Sequence, residues 1–112
     1  MGGMHLMLDG EVSRLLALHQ LEALLPHLVL SIGMTPVGGP CIKDHPWGPS
    51  GWQMMSESHI VFDYWYRRAV TIDLVCCRPF PVEETVELLK KSFDVTRVTM
   101  TQVFARGPSR DS

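Results

Sequence analysis

The stretch WQMMSESHIVFDYW, residues 52–65, sets two apolar runs on either side of a short polar break. Residues 52–55 and 59–65 are predicted to be strands, with Ser56-Glu57-Ser58 between or within them. At such a tight junction, a serine that follows a glutamate can attack the carbonyl of the preceding residue. Ser58 is therefore a candidate for cleavage of its own chain, which would convert it into a pyruvoyl group.

The sequence before this pair predicts a strand, a helix and a long loop. Residues 4–8 form the strand, which ends at the turn pair Asp9-Gly10. Leucines spaced three or four apart then predict a helix that Ser13 caps, and Pro26 either kinks it or opens a second short helix. Residues 34–37 predict a brief strand, and the glycine- and proline-rich residues 38–51 predict a loop.

The sequence after the pair adds a strand, a helix and a final strand. Residues 69–77 are rich in β-branched side chains, Pro81 opens an amphipathic helix, and residues 95–104 alternate as a strand does. The whole order predicts one α+β domain over residues 1–112. Its architecture is a two-layer sandwich, a mostly antiparallel sheet with two helices on one face. The open face invites a homodimer.

Composition excludes some classes of partner. A formal net charge of −2 without basic runs gives no case for nucleic acid or for an anionic membrane. The apolar residues 15–32 are too often interrupted by polar side chains for a spanning helix, and no secretory signal is evident.

The three cysteines are predicted to be free thiols in a reducing compartment, which predicts a cytoplasmic protein. The partner is then a small-molecule substrate.

Few other residues are candidates for catalysis or metal binding. Cys76 and Cys77 end a strand and point to opposite faces, so only one of them can serve a given site. The five histidines lack the spacing of a metal site. Asp63 lies in an aromatic strand, where it acts as a base or pairs with Arg67 or Arg68.

Taken together, these segments resemble the prokaryotic S-adenosylmethionine decarboxylases, pyruvoyl enzymes of spermidine synthesis. The similarity covers most of the chain. Its anchors are Gly48-Pro49-Ser50-Gly51, Ser56-Glu57-Ser58-His59, Trp65, Ile72-Asp73-Leu74-Val75-Cys76-Cys77, Leu88-Leu89-Lys90-Lys91, Arg97-Val98 and Arg106-Gly107.

The resemblance implies cleavage between Glu57 and Ser58, giving a β chain of residues 1–57 and an α chain of residues 58–112. Ser50 and His59 would lie near that processing site. The self-derived pyruvoyl group would form a Schiff base with the substrate amine. Cys77 would be the proton donor in decarboxylation.

Of three departures from the family pattern, the first bears on self-processing and the other two bear on the substrate. Asp63 stands where the family has its processing histidine. Where the family has an acidic residue shortly after the tryptophan, this chain has Tyr66-Arg67-Arg68 and is one residue shorter. The aromatic residue expected to stack on adenine falls near Asp44, and Trp47 or His45 is the expected substitute. Trp47 and Trp65 are the residues predicted to bind substrate. The first hypothesis is decarboxylation of S-adenosylmethionine. The alternatives are decarboxylation of ornithine or arginine, and an unprocessed homologue that acts as a binding or regulatory subunit.

Overall fold

The computed structural model describes residues 3–107, which form six strands and two helices. The strands are β1 (Gly3–Val12), β2 (Cys41–His45), β3 (Gly48–Met55), β4 (Ser58–Trp65), β5 (Ala69–Cys76) and β6 (Val95–Arg106). Helix α1 spans Leu18–Ser31, between β1 and β2, and helix α2 spans Val82–Ser92, between β5 and β6.

The strands form one sheet in the order β2-β3-β4-β5-β1-β6, and every neighbouring pair is antiparallel. Strands β2 to β5 follow one another as hairpins. Strand β1 then pairs with both β5 and β6, so that each segment containing a helix connects two strands that are consecutive in the chain but not adjacent in the sheet. The predicted antiparallel sheet is confirmed.

The sheet has one covered face and one open face. Along β4, Ile60, Phe62 and Tyr64 are fully buried, whereas the alternate residues His59 and Asp63 are only half-buried. The buried side chains join those of both helices in a single hydrophobic core. This period-2 burial is what a sheet with helices on one face requires, and it confirms the predicted α+β two-layer sandwich.

The first strand is longer than predicted, because Asp9-Gly10 is not a turn. Strand β1 continues to Val12 through shifts in its register with β6 at Asp9/Gly10 and Glu11/Val12. A Cβ at residue 10 would lie 2.7 Å from the Val95 side chain and 2.9 Å from the Arg97 carbonyl oxygen. The glycine therefore permits close approach of β6 rather than a reversal of the chain.

The predicted start of the first helix was also wrong. Helix α1 begins at Leu18, and the Ala17 amide donates to the Gln20 side chain at 2.8 Å, so Ser13 is not its cap. Pro26 lies inside α1, which continues to Ser31 without opening a second helix. Packing of the leucine face against the sheet holds the helix together across this position.

The glycine-rich stretch 38–51 was predicted to be a loop, but it contains β2 and the start of β3. A Cβ at residue 48 would lie 2.1 Å from the Tyr64 carbonyl oxygen, and one at residue 51 would lie 2.6 Å from the Cys41 carbonyl oxygen. These glycines allow neighbouring strands to approach. The brief strand expected at residues 34–37 is a single bridge from Pro36 to Met55.

Two further expectations from the sequence concern disulfide bonds and membrane-spanning helices. All three cysteines fall in the described part of the chain and none forms a disulfide there. Within residues 3–107, neither helix is long and apolar enough to cross a membrane.

Candidate processing and active site

The carbonyl of Glu57, at the bond predicted to break, accepts a short hydrogen bond. Ser56 and Glu57 form the turn between β3 and β4, and Ser58 pairs with Cys76 on the neighbouring strand β5. This register brings the Cys77 amide to the Glu57 carbonyl oxygen, and the N–H donates to it at 2.7 Å. A fixed N–H donor at a carbonyl polarises it and stabilises the oxyanion that forms when a nucleophile attacks.

Ser58 has an unusual backbone conformation. Its φ is 149°, in a region that residues with a Cβ rarely adopt. Such strain costs about 1–3 kcal/mol and is often found at functional sites. The Ser58 Oγ lies 3.1 Å from His59 Nδ1, within hydrogen-bonding distance. Strain, a polarised carbonyl and a hydroxyl beside an imidazole therefore meet at one peptide bond.

The two adjacent cysteines have different environments. Cys76 is 1% exposed in the core, and burial, with smaller effects of Cys77 and Glu57, raises the pKa of its thiol to about 12. Cys77 is half-buried and follows the end of β5. The alternation of faces that the sequence predicts thus leaves Cys77, not Cys76, as the accessible thiol beside Glu57.

We call residues 57–59 and 77 the processing end. Two other predicted site residues, Ser50 and Asp63, lie elsewhere. They pair with each other across β3 and β4. Asp63 is five residues from Ser58 along a paired strand, a separation of about 16 Å at 3.3 Å per residue. Within one chain, Asp63 is therefore too far away to take a proton from Ser58.

The two predicted substrate-binding tryptophans lie with Ser50 and Asp63. Trp47, 55% exposed in the turn between β2 and β3, stacks on His45 with ring centroids 5.2 Å apart and an interplanar angle of 5°. Trp65 ends β4. We call Ser50, Asp63, Trp47 and Trp65 the tryptophan end. The structure separates the predicted site residues into these two groups.

Sequence reasoning missed two contacts at the tryptophan end. His45 Nε2 lies 2.7 Å from the Ser50 Oγ, a pairing hidden because this segment was predicted to be a loop. The Tyr66 hydroxyl donates to the Asp44 carboxylate at 2.6 Å, and this bond raises the pKa of Tyr66. Asp63 makes no ion pair with Arg67 or Arg68 in the part of the chain that the structure describes.

A further group of titratable side chains lies on the open face between the two ends. His5 Nε2 is 2.9 Å from an Asp73 carboxylate oxygen. Asp9 is near this pair, and its pKa is raised by partial burial first and by the charge of Asp73 second. Asp9 and Asp63 both oppose Thr71, so the acidic side chains occupy neighbouring positions on this face.

The chain was compared with known proteins. The family model described as S-adenosylmethionine decarboxylase matches residues 4–107. Comparison with curated proteins found no match. Among solved structures, the adenosylmethionine decarboxylase from Aquifex aeolicus VF5 is similar, with a TM-score of 0.78 and 18% identity over 99% of this chain and 95% of that one. The structural similarity supports the fold, and the match of nearly the whole chain to the family model shows that it belongs to the S-adenosylmethionine decarboxylase family.

Proposed function

We propose that this chain cleaves itself between Glu57 and Ser58 and then decarboxylates S-adenosylmethionine through the resulting pyruvoyl group. The observation that carries this proposal is the bond from the Cys77 amide to the Glu57 carbonyl, directly before a strained serine, in a chain of this family. The product would be the aminopropyl donor for spermidine synthesis.

Cleavage begins with attack of the Ser58 Oγ on the Glu57 carbonyl carbon. His59 Nδ1 takes the hydroxyl proton and returns it to the departing amide nitrogen, while the Cys77 N–H stabilises the oxyanion. The amide becomes an ester. Removal of the Ser58 α-proton then expels the Glu57 carboxylate and leaves dehydroalanine. Its imine tautomer takes up water and releases ammonia, which leaves the pyruvoyl group at the start of the second fragment.

The processing end fits this group. A pyruvoyl group at residue 58 would supply a sink for the electrons that remain on the substrate when carbon dioxide leaves. Cys77 lies next to it, since the Cys77 amide binds the carbonyl of Glu57, and its thiol is half-buried, whereas the Cys76 thiol is enclosed by the core. Cys77 therefore returns a proton to the substrate carbon.

A homodimer would bring the two groups of site residues together. The open face presents exposed apolar side chains at Trp52, Met54 and Phe104, which a second copy of the sheet would cover. Ser50 and Asp63 also face this side, at a distance that excludes them from the Ser58 of their own chain. We propose that protomers pair through this face before cleavage, that Asp63 of one copy serves Ser58 of the other, and that the processed protomers remain paired.

A smaller, cationic substrate is the second candidate. Asp44 lies near the position where the family pattern expects an aromatic residue, and its carboxylate accepts a hydrogen bond from the Tyr66 hydroxyl beside Trp47. A carboxylate favours a cationic side chain, as in ornithine or arginine, over a nucleobase. The unprocessed, non-catalytic alternative rests on Asp63 in place of histidine.

Intact-mass analysis of the purified chain tests cleavage. We expect fragments of residues 1–57 and 58–112, the second resistant to Edman sequencing because its terminus is a ketone. Ser58→Ala should remain one full-length chain, and the matched control Ser56→Ala should still be cleaved. A wild-type chain that stays intact on long incubation would contradict the proposal. Carbon dioxide release from carboxyl-labelled S-adenosylmethionine, ornithine and arginine then identifies the substrate.

A further inference from the structure

The side chain of Glu57, the residue before the bond predicted to break, is held on both of its carboxylate oxygens. The Thr35 amide donates to Oε1 at 2.9 Å, and the Arg78 guanidinium lies 3.3 Å from Oε2. The Glu57 side chain is only 14% exposed. A carboxylate this enclosed is stabilised by the charge-assisted bonds it accepts.

Arg78 reaches beyond Glu57. Its guanidinium also donates to the Gly33 carbonyl oxygen at 3.0 Å, which ties the β3–β4 turn to the start of the segment that follows α1. The same segment binds the turn through its backbone, since the Ser56 amide donates to the Thr35 carbonyl at 2.9 Å. We call Glu57, Arg78, Thr35 and Gly33 the glutamate clasp.

The clasp and the Cys77 amide hold the same residue at different points. Cys77 fixes the carbonyl oxygen of Glu57, and Arg78, the next residue, fixes its side chain. Together they determine where the carbonyl carbon lies relative to the strained Ser58. Attack by a hydroxyl depends steeply on such placement, because a small displacement of the reacting atoms lowers the rate greatly.

We infer that Arg78 is a positioning residue for self-cleavage, acting through the Glu57 carboxylate to keep the carbonyl at the Cys77 amide; the inference rests on the proposed function. Arg78 takes no part in proton transfer and does not contact the reacting atoms. Its effect is on the first step, formation of the bond between the Ser58 Oγ and the Glu57 carbonyl carbon.

The test follows cleavage by intact mass after cell-free synthesis of the full chain. We expect Arg78→Gln to slow cleavage roughly tenfold, because one carboxylate oxygen loses its cation. Arg78→Lys keeps the charge and should retain a rate within about threefold of wild type. Arg14→Gln is the matched control, since it breaks an exposed pair with Asp94 at 2.7 Å and should leave the cleavage rate unchanged.

A double-mutant cycle separates positioning from general stability. Glu57→Gln keeps an oxygen for Thr35 but removes the charge that Arg78 binds, so Arg78→Gln should cause no further slowing in that background. Melting temperatures are compared in Ser58→Ala chains, which all stay intact. There, Arg78→Gln should lower the midpoint more than Arg14→Gln does, because it leaves the enclosed Glu57 carboxylate without its cation, but the chain should stay folded at the temperature of the cleavage assay, so that unfolding does not account for slower cleavage.

Three outcomes would contradict the inference, and they are distinct. Full additivity of Arg78→Gln with Glu57→Gln would show that Arg78 does not act through Glu57. A wild-type rate in Arg78→Gln would remove its role while leaving the proposed function intact. A wild-type chain that never cleaves would overturn the proposed function together with the inference.

Discussion

The processing end and the tryptophan end of the sheet are built in opposite ways. At the processing end, backbone groups make the important contacts: the Cys77 amide binds the Glu57 carbonyl, and Ser58 has a strained φ. At the tryptophan end, side chains dominate, with His45 bound to Ser50 and stacked on Trp47. The contacts at the processing end form within one chain, whereas the tryptophan end presents its groups to the open face.

The difference follows from where the reacting groups lie in the chain. The Ser58 hydroxyl and the Glu57 carbonyl are covalent neighbours, so contacts within the same chain are sufficient to position them for the first step. Asp63, about 16 Å along the strand from Ser58, can act on that bond only from a second copy. Substitutions that disrupt one end and leave the other intact therefore test whether the two ends belong to one active site.

The largest expected effect comes from Gly48→Ala at the tryptophan end. A methyl group there would lie 2.1 Å from the Tyr64 carbonyl oxygen, at a φ of 147° that disfavours a side chain. We expect the free energy of unfolding to fall by about 3–4 kcal/mol. Urea denaturation in the Ser58→Ala background, where every chain is intact, measures this loss.

Gly39→Ala is the control for this substitution. Its methyl group would meet no atom within 4 Å, and the backbone there has no positive φ. Its free energy of unfolding should stay within about 0.5 kcal/mol of the reference. Equal stability of the two variants would show that β3 can move away from β4 at little cost.

The next-largest effect distinguishes the roles of Cys77, at the processing end, and of its neighbour Cys76. Cys77→Ala should lower the decarboxylation rate of the cleaved protein about 100-fold, the usual minimum for loss of a general acid. Cys76→Ala should leave turnover close to wild type and instead cost about 1–2 kcal/mol of stability, because it removes a buried thiol. The opposite pattern would assign the proton to Cys76.

Asp63 provides the direct test of communication between the ends. Asp63→Asn should slow cleavage about tenfold, whereas Asp63→His should accelerate it. Co-expression of Asp63→Asn with Ser58→Ala, on chains with different affinity tags, should restore cleavage of the Asp63→Asn chain, since the mixed dimer has one complete site. Failure to restore cleavage would show that Asp63 does not act across a dimer.

The sequence predicted the processing end better than the tryptophan end, for a physical reason. The period-2 pattern of residues 59–65 defines which side chains are buried, and the register of a hairpin follows from it. The neighbourhood of Ser58 and Cys77 is therefore accessible from local pattern. The family resemblance supplied the residue types, and the separation of Ser50 and Asp63 from Ser58 follows from strand geometry.

The glycines of residues 38–51 were misread because composition does not distinguish two uses of glycine. Gly48 and Gly51 lie where strands approach closely, a tertiary effect that no local signal reveals. With β2 predicted as loop, the contact between His45 and Ser50 was hidden. Arg78 was missed for a similar reason, since its partner Gly33 is 45 residues away in sequence.

The smallest expected effect concerns Asp9, which shares the open face with the tryptophan end. Its pKa is raised above the ordinary 3.8 by partial burial and by Asp73, so ionisation costs more in the folded than in the unfolded chain. Stability is therefore lost as the pH rises from 3.8 through the raised value, and the whole penalty is present at pH 7. Asp9→Asn should raise the melting temperature by roughly 1–2 °C at pH 7 and lose this advantage below pH 3.8. Glu22→Gln, on the exposed side of α1, should show no such pH-dependent gain. A lower melting temperature for Asp9→Asn at pH 7 would mean that the open face gains from this charge, as it would if a cationic group of a second copy lay opposite.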